Sequence, residues 1–138
     1  MNSKACSRDK LIRLLRSHDV TPTPQRVEIA HALFSRCEHL SADRILAIVN
    51  DRNSKSSKAT VYNTLKLFLE KKLVREVIVD PSRVFYDPNT APHHHFYNVD
   101  TGELTDIDEA AIHIADLPPL PRGMAVAGVD VIVRIRSR

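Results

Sequence analysis

The sequence has no tryptophan, only two cysteines and three glycines, and an aromatic share of 5%. Each shortage excludes something. Cys6 and Cys37 lie far apart and form no C-x-x-C pair, which rules out a zinc ribbon and argues against a disulfide-stapled secreted domain. Glycine is too scarce for a phosphate-cradling loop. No apolar run is long enough to span a bilayer, and the opening MNSKACSRDK carries no hydrophobic signal region, so a cytoplasmic protein without membrane contact is expected. What remains, 138 residues with a 43% apolar share, suits one ordinary globular domain or two very small ones.

Charge is modest overall, at +3, but unevenly placed. From Met1 to Asp87 there are 16 Lys/Arg against 10 Asp/Glu, a net of +6; from Pro88 to Arg138 there are 4 against 7, a net of −3. A basic first part and an acidic second part suggest two tasks, with a polyanion as partner of the first.

Histidine is what the chain concentrates. His93, His94 and His95 are consecutive, they fall between Asp87 and Asp106, and His39 lies well upstream. Neutral imidazoles with carboxylates make a borderline-hard nitrogen/oxygen ligand set that suits Fe(II), Mn(II) or Zn(II). On an extended segment His93 and His95 share one face and His94 takes the other. The alternative for such a tract is a solvated loop.

The first helix is expected from Asp9 to Ser17, with Leu11, Ile12, Leu14 and Leu15 at helical spacing. Thr23 reads as the N-cap of a second helix and Pro24 as its first residue, with Val27, Ile29, Ala30, Leu33 and Phe34 inward. A third helix opens at Ser41 and carries Ile45, Leu46 and Val49; Asp51 to Ser57 is a loop. In a fourth, Ser57 to Lys71, Val61, Leu65, Phe68 and Leu69 share one arc at about 100° per residue. Leu73 to Val79 and Arg83 to Tyr86 read as strands turned at Asp80-Pro81-Ser82. Helices followed by such a hairpin make a winged helix-turn-helix whose last helix enters a DNA groove. Beyond a hinge at Asn89 to Pro92, strands His94 to Val99 and Glu103 to Ile107 flank a tight turn at Asp100-Thr101-Gly102. A short helix is expected from Asp108 to Ala115, then an alternating final strand in which Val129, Val131, Val133 and Ile135 face one way. So small a second part closes little core and is expected to pair with a second copy as a C2 homodimer. The fold class is α+β: a winged helix-turn-helix over 1–88, a hinge over 89–92, and a small α/β dimerisation domain over 93–138.

With these residues in place, the chain resembles the ferric uptake regulator (Fur) superfamily over nearly its whole length. The resemblance rests on Pro24-Gln25-Arg26, on His39-Leu40-Ser41-Ala42-Asp43, on Ala59-Thr60-Val61-Tyr62-Asn63-Thr64-Leu65, and on the Asp87 to Asp106 segment that follows. Pro-His-His-His-Phe-Tyr, then Glu-Leu-Thr-Asp-Ile, and the ending Val-Asp-Val-Ile-Val-Arg-Ile-Arg make it look most like the iron response regulator branch; the peroxide-sensing regulators come next. The resemblance implies a regulatory metal site on His39, Asp87, His93, His95 and Asp106, bridging the two parts and coupling metal state to DNA affinity. Two departures stand out. The superfamily's structural zinc site of two C-x-x-C pairs is absent, and neither Cys6 nor Cys37 precedes a proline as in the branch's haem motif, so haem control would act through His93 to His95. A second cation or haem site at His94 and His113, with Glu109 or Asp108 nearby, meets Phe96 where an acid is wanted. His18 and His31 read as structural or solvated.

For double-stranded DNA, Tyr62 and Asn63 are the expected base-edge contacts, and Arg26, Lys58, Thr60 and Lys66 the phosphate contacts. The function expected is a metal- or haem-responsive repressor on an AT-rich inverted repeat, controlling iron-homeostasis or oxidative-stress genes. The nearest rival is a peroxide sensor whose ligand histidines are oxidised by metal-catalysed chemistry. A metalloenzyme using two histidines and one carboxylate is a third reading, but no neighbouring nucleophile or substrate-pocket motif supports it, and no enzymatic activity is expected.

Overall fold

A computed structural model describes residues 7–36, 39–52 and 55–138. Cys6 and Cys37 lie outside the described residues. The chain folds as two compact units, Met1–Thr90 and Ala91–Arg138. No helix among the described residues is long and apolar enough to cross a membrane.

The first unit holds four helices, α1 (Arg8–Ser17), α2 (Pro24–Phe34), α3 (Ala42–Asp51) and α4 (Lys58–Glu70), then a hairpin of β1 (Arg75–Asp80) and β2 (Arg83–Asp87). Every helix start is set by a side-chain cap: the hydroxyls of Ser7, Thr23, Ser41 and Ser57 each accept from the backbone N–H three residues on. The ends are less obvious, because the chain has no glycine in this unit. Asp19 and Lys72 instead adopt φ of +61° just beyond α1 and α4. Val20 N–H then donates to Leu15 O, and Leu73 N–H to Phe68 O, both at 2.9 Å. This is the Schellman closure, in which a buried apolar residue past the helix end offsets the strain of a left-handed non-glycine residue. Val20 and Leu73 are both buried.

One apolar core joins α1 to α4 and reaches the hairpin through Tyr86. Phe68, Leu65 and Val61 of α4 are fully buried in it. The buried stripe of α4 is Val61, Thr64, Leu65 and Phe68, shifted by one position from expectation: Thr64 is inside and Leu69 sits at the margin. Phe34 and Leu46 are likewise marginal, while Ala32 and Ile48 are buried. The hairpin turns where Asp80 Oδ1 accepts from Ser82 N–H at 2.8 Å. A single antiparallel bridge, Leu40 to Tyr86, ties the α2–α3 connection to β2.

The second unit is a three-stranded sheet in the order β4 (Leu104–Ile107), β3 (His94–Asn98), β5 (Ile132–Ile135). β3 and β4 are antiparallel, pairing His95 with Asp106. β5 runs parallel to β3. The turn between β3 and β4 puts Gly102 at φ +76°, with Gly102 N–H donating to Asn98 O at 2.8 Å. The helix expected from Asp108 to Ala115 is not formed. Only one 3-10 turn, Glu109–Ala111, follows the Asp108 cap. Eight residues without a packed face cannot sustain a helix, and here they are almost all exposed. The final strand is also shorter than its alternation suggests, starting at Ile132 rather than Val129.

Phe68 fills the centre of the first unit without solvent exposure. Phe68→Ala is expected to destabilise the protein by about 3–5 kcal/mol in urea unfolding; a loss below about 1 kcal/mol would mean that α4 is not anchored there.

Candidate metal centre and nucleic-acid face

Each unit carries its own His/Asp group. In the first, Asp87 ends β2 and His39 precedes the Leu40–Tyr86 bridge, so the backbone bridge brings the two side chains together. His39 Nε2 lies 2.9 Å from Asp87 Oδ2. The other oxygen, Oδ1, accepts from Asn89 N–H at 2.9 Å, which orients the carboxylate. Asp87 is buried, a costly place for a carboxylate charge.

In the second unit the strand register does the same work. His95 and Asp106 are opposite one another on β3 and β4. Asp106 Oδ1 is 3.3 Å from His95 Nε2 and 3.2 Å from His93 Nε2. The His93 and His95 rings are 4.5 Å apart, and one ligand atom from each of His93, His95 and Asp106 lies within 4.8 Å of the others. His95 is 0% exposed, whereas the Asp106 side chain is half open. Imidazole nitrogen and carboxylate oxygen converging in this way fit a divalent cation such as Fe(II), Mn(II) or Zn(II).

Hydrogen bonding decides which histidine can ligate. His93 Nδ1 lies 2.6 Å from Ala91 O. A carbonyl only accepts, so Nδ1 carries a proton, and Nε2, which faces Asp106, is the nitrogen that could ligate a cation. His94 is the reverse: its Nδ1 accepts from Val131 N–H at 3.0 Å. The neutral ring therefore carries its proton on Nε2 and has no lone pair left for a cation or haem iron. His94 and His113 do line one pocket, of about 490 Å³, with Asp108 and Glu109. That pocket assembles the groups expected from the sequence, yet the Val131 amide takes the nitrogen His94 would offer. Neither carbonyl nor amide leaves a trace in the pattern of residue types.

The remaining histidines are tied into the first unit. His18 Nδ1 donates to Lys71 O at 2.9 Å, joining the ends of α1 and α4. His31 Nδ1 meets Arg52 Nη1 at 2.7 Å, and burial, followed by the charge of Arg52, lowers its pKa.

The exposed face of α4 presents Tyr62, Asn63 and Lys66. Lys58 Nζ is 3.9 Å from Asp43 and 5.8 Å over the Tyr62 ring. So exposed a pair contributes little and leaves Lys58 available to phosphate. Thr60 Oγ1 is 3.0 Å from Ser57 Oγ at the start of the helix. Arg26 Nη1 donates to Thr21 O at 2.8 Å, beside the N-terminus of α2.

Residues 7–126 match the ferric uptake regulator family. The peroxide-responsive repressor PerR of Staphylococcus epidermidis is 30% identical over 129 residues, covering 88% of this chain and 86% of that protein. Two solved structures share the fold. The ferric uptake regulator from Pseudomonas aeruginosa with manganese superposes with a TM-score of 0.67 at 23% identity, over 90% of this chain and 95% of that one. The regulator from Francisella tularensis with iron superposes with a TM-score of 0.66 at 17% identity, over 86% and 92%.

The opposite hydrogen bonds of neighbouring rings are open to measurement. Long-range proton–nitrogen NMR of the metal-free protein at neutral pH is expected to find a proton on Nδ1 of His93 and none on Nδ1 of His94. A His93 ring without a proton at Nδ1, or a His94 ring with one there, would contradict the assignment.

Proposed function

We propose, on the premise that the chain belongs to the ferric uptake regulator family, that it is a metal-responsive DNA-binding repressor acting as a cytoplasmic homodimer. The observation that carries this reading is the pair of His/Asp groups, one in each unit of a family member. His39, Asp87, His93, His95 and Asp106 are the proposed ligands of one divalent cation. When bound, the ion supplies the positive charge that these electron-rich atoms need. His39 and Asp87 flank the connection into α3 and the end of the hairpin; His93, His95 and Asp106 belong to the sheet of the second unit. Ligation from both units favours one relation between them and so one spacing of the two α4 helices in the dimer.

Pairing of two copies is supported by the apolar surface of the second unit, where Val99, Val126, Val133, Ile135 and the 67%-exposed Met124 face outward. A unit of this size gains by covering such a surface. On DNA, α4 lies in the major groove of an AT-rich inverted repeat. Asn63 pairs with adenine and Tyr62 reaches a base edge or phosphate; Lys58, Thr60, Lys66 and Arg26 hold the backbone. The proposed targets are iron-homeostasis or oxidative-stress genes.

A second reading is favoured by the peroxide-responsive relative. With Fe(II) as the cation, hydrogen peroxide would oxidise a ligand histidine and release DNA. Mass spectrometry after anaerobic Fe(II) loading and peroxide would then find one added oxygen atom on His39, His93 or His95.

The direct test is a gel-shift titration with and without Fe(II) and Mn(II), beside Asp106→Asn. That substitution keeps the side-chain shape and removes the charge. Mn(II) affinity by calorimetry should fall at least about tenfold, and DNA affinity should stop responding to the metal. Equal wild-type affinity for DNA under all conditions would remove the sensing function. Separately, Lys66→Ala should weaken operator and random DNA alike and reduce the salt slope by about one unit, while Asn63→Ala should blunt sequence preference. Equal loss on both DNAs for Asn63→Ala would refute its base contact.

A further inference from the structure

Helix α1 turns Leu11 and Leu15 into the core and Lys10, Arg13 and Arg16 outward. At about 100° per residue the three cations occupy one arc, opposite the two leucines. A rise of about 1.5 Å per residue makes this stripe about 9 Å long. Asp9 is the one acid of the helix.

We propose that this stripe holds the phosphate backbone of duplex DNA, continuing the contact of Arg26 away from the base-reading face of α4. The inference rests on the DNA-binding reading above and adds to it three residues and a further helix.

Four observations support it. First, the fold makes no use of these charges. Arg52, Lys58 and Arg83 lie 3.6, 3.9 and 3.7 Å from the carboxylates of Glu28, Asp43 and Asp80. Lys10, Arg13 and Arg16 are exposed and take no ion pair among the described residues. Second, the stripe runs into the proposed DNA face. Arg16 lines a surface recess with Thr21 and Pro22. Thr21 O accepts from Arg26 Nη1 at 2.8 Å, and Arg26 shares a notch with Thr60 and Asn63 of α4. Third, the joint between the helices is fixed. His18 Nδ1 donates to Lys71 O at 2.9 Å and Val20 is buried, so the end of α1 keeps its place beside that of α4. A cationic array held in this way meets a backbone with less left to order. Fourth, the chemistry selects the partner. Arg26 and the stripe give four cations against Asp9 and Asp19 beside them, a net of +2. Charges set along a line suit a chain of phosphates better than a single anion. α1 has no aromatic side chain on which unpaired bases could stack. Its apolar side lies in the core, which leaves none to enter a lipid surface.

The test uses the full chain at constant metal loading and a fluorescein-labelled random-sequence duplex, because backbone contacts carry no sequence information. Lys10→Gln, Arg13→Gln and Arg16→Gln combined should lower affinity at least about tenfold at about 0.1 M salt, and reduce the salt slope by about 0.9 for each phosphate given up. The melting temperature should not fall, since all three side chains are exposed. Taken singly, Arg16→Gln, next to the Thr21 joint, should cost more than Lys10→Gln at the far end. Asp9→Asn should raise affinity. Arg138→Gln, an exposed cation of the second unit, should leave the slope unchanged. Wild-type affinity and slope for the triple variant, with Lys66→Ala still impaired, would overturn the stripe and leave the DNA-binding reading standing. An equal loss for Arg138→Gln would overturn it too, because net charge rather than contact would then be at work. No binding by the unaltered chain, at any metal loading or salt, would overturn both readings. Phosphatidylglycerol vesicles separate the sources of phosphate. Cosedimentation that the triple variant abolishes, with its DNA binding intact, would assign the stripe to a lipid surface and overturn the proposal.

Discussion

A carboxylate oxygen about hydrogen-bond distance from an imidazole lone pair is unstable unless positive charge lies between them. Asp106 Oδ1 sits 3.2 Å from His93 Nε2, and the Ala91 carbonyl engages the far nitrogen, Nδ1, which donates to it. A metal ion between the two atoms would supply what the pair lacks. Much of the second unit follows from this need. The β3–β4 register sets His95 against Asp106, and the tight turn at Gly102 sets that register. The fully buried position of His95 excludes the water that would otherwise solvate it.

The same sheet gives adjacent histidines different fates. Alternation along β3 sends His94 to the opposite face from His95, where the segment entering β5 donates the Val131 amide to it. His94 becomes a structural acceptor that helps hold the parallel strand. The result is specificity by hydrogen bonding among three chemically identical side chains.

In the first unit, one helix serves two surfaces. α4 buries Val61, Leu65 and Phe68 and exposes Tyr62, Asn63 and Lys66, so the core that stabilises it also fixes which residues it presents.

Local rules read from the sequence reached far. Hydroxyl caps at Thr23 and Ser41 placed the starts of α2 and α3, and turn residues placed both hairpins, because caps and turns depend on neighbours within a few positions. The Pro24, His39 and Ala59 to Leu65 motifs pointed to the family to which the chain belongs. Long-range decisions were hidden. The non-glycine ends at Asp19 and Lys72 hold because Val20 and Leu73 find a core. The helix expected after Asp108 failed because it has no packed face. The helical wheel did contain one overlooked signal, a threonine at position 64 on an apolar stripe. Thus the sequence by itself determined the element order, the donor types and the family. Only the tertiary structure decided which imidazole nitrogens the backbone engages, Nδ1 of His93 as a donor and Nδ1 of His94 as an acceptor. Those outcomes depend on backbone groups from distant segments, and backbone groups are the same in almost every residue.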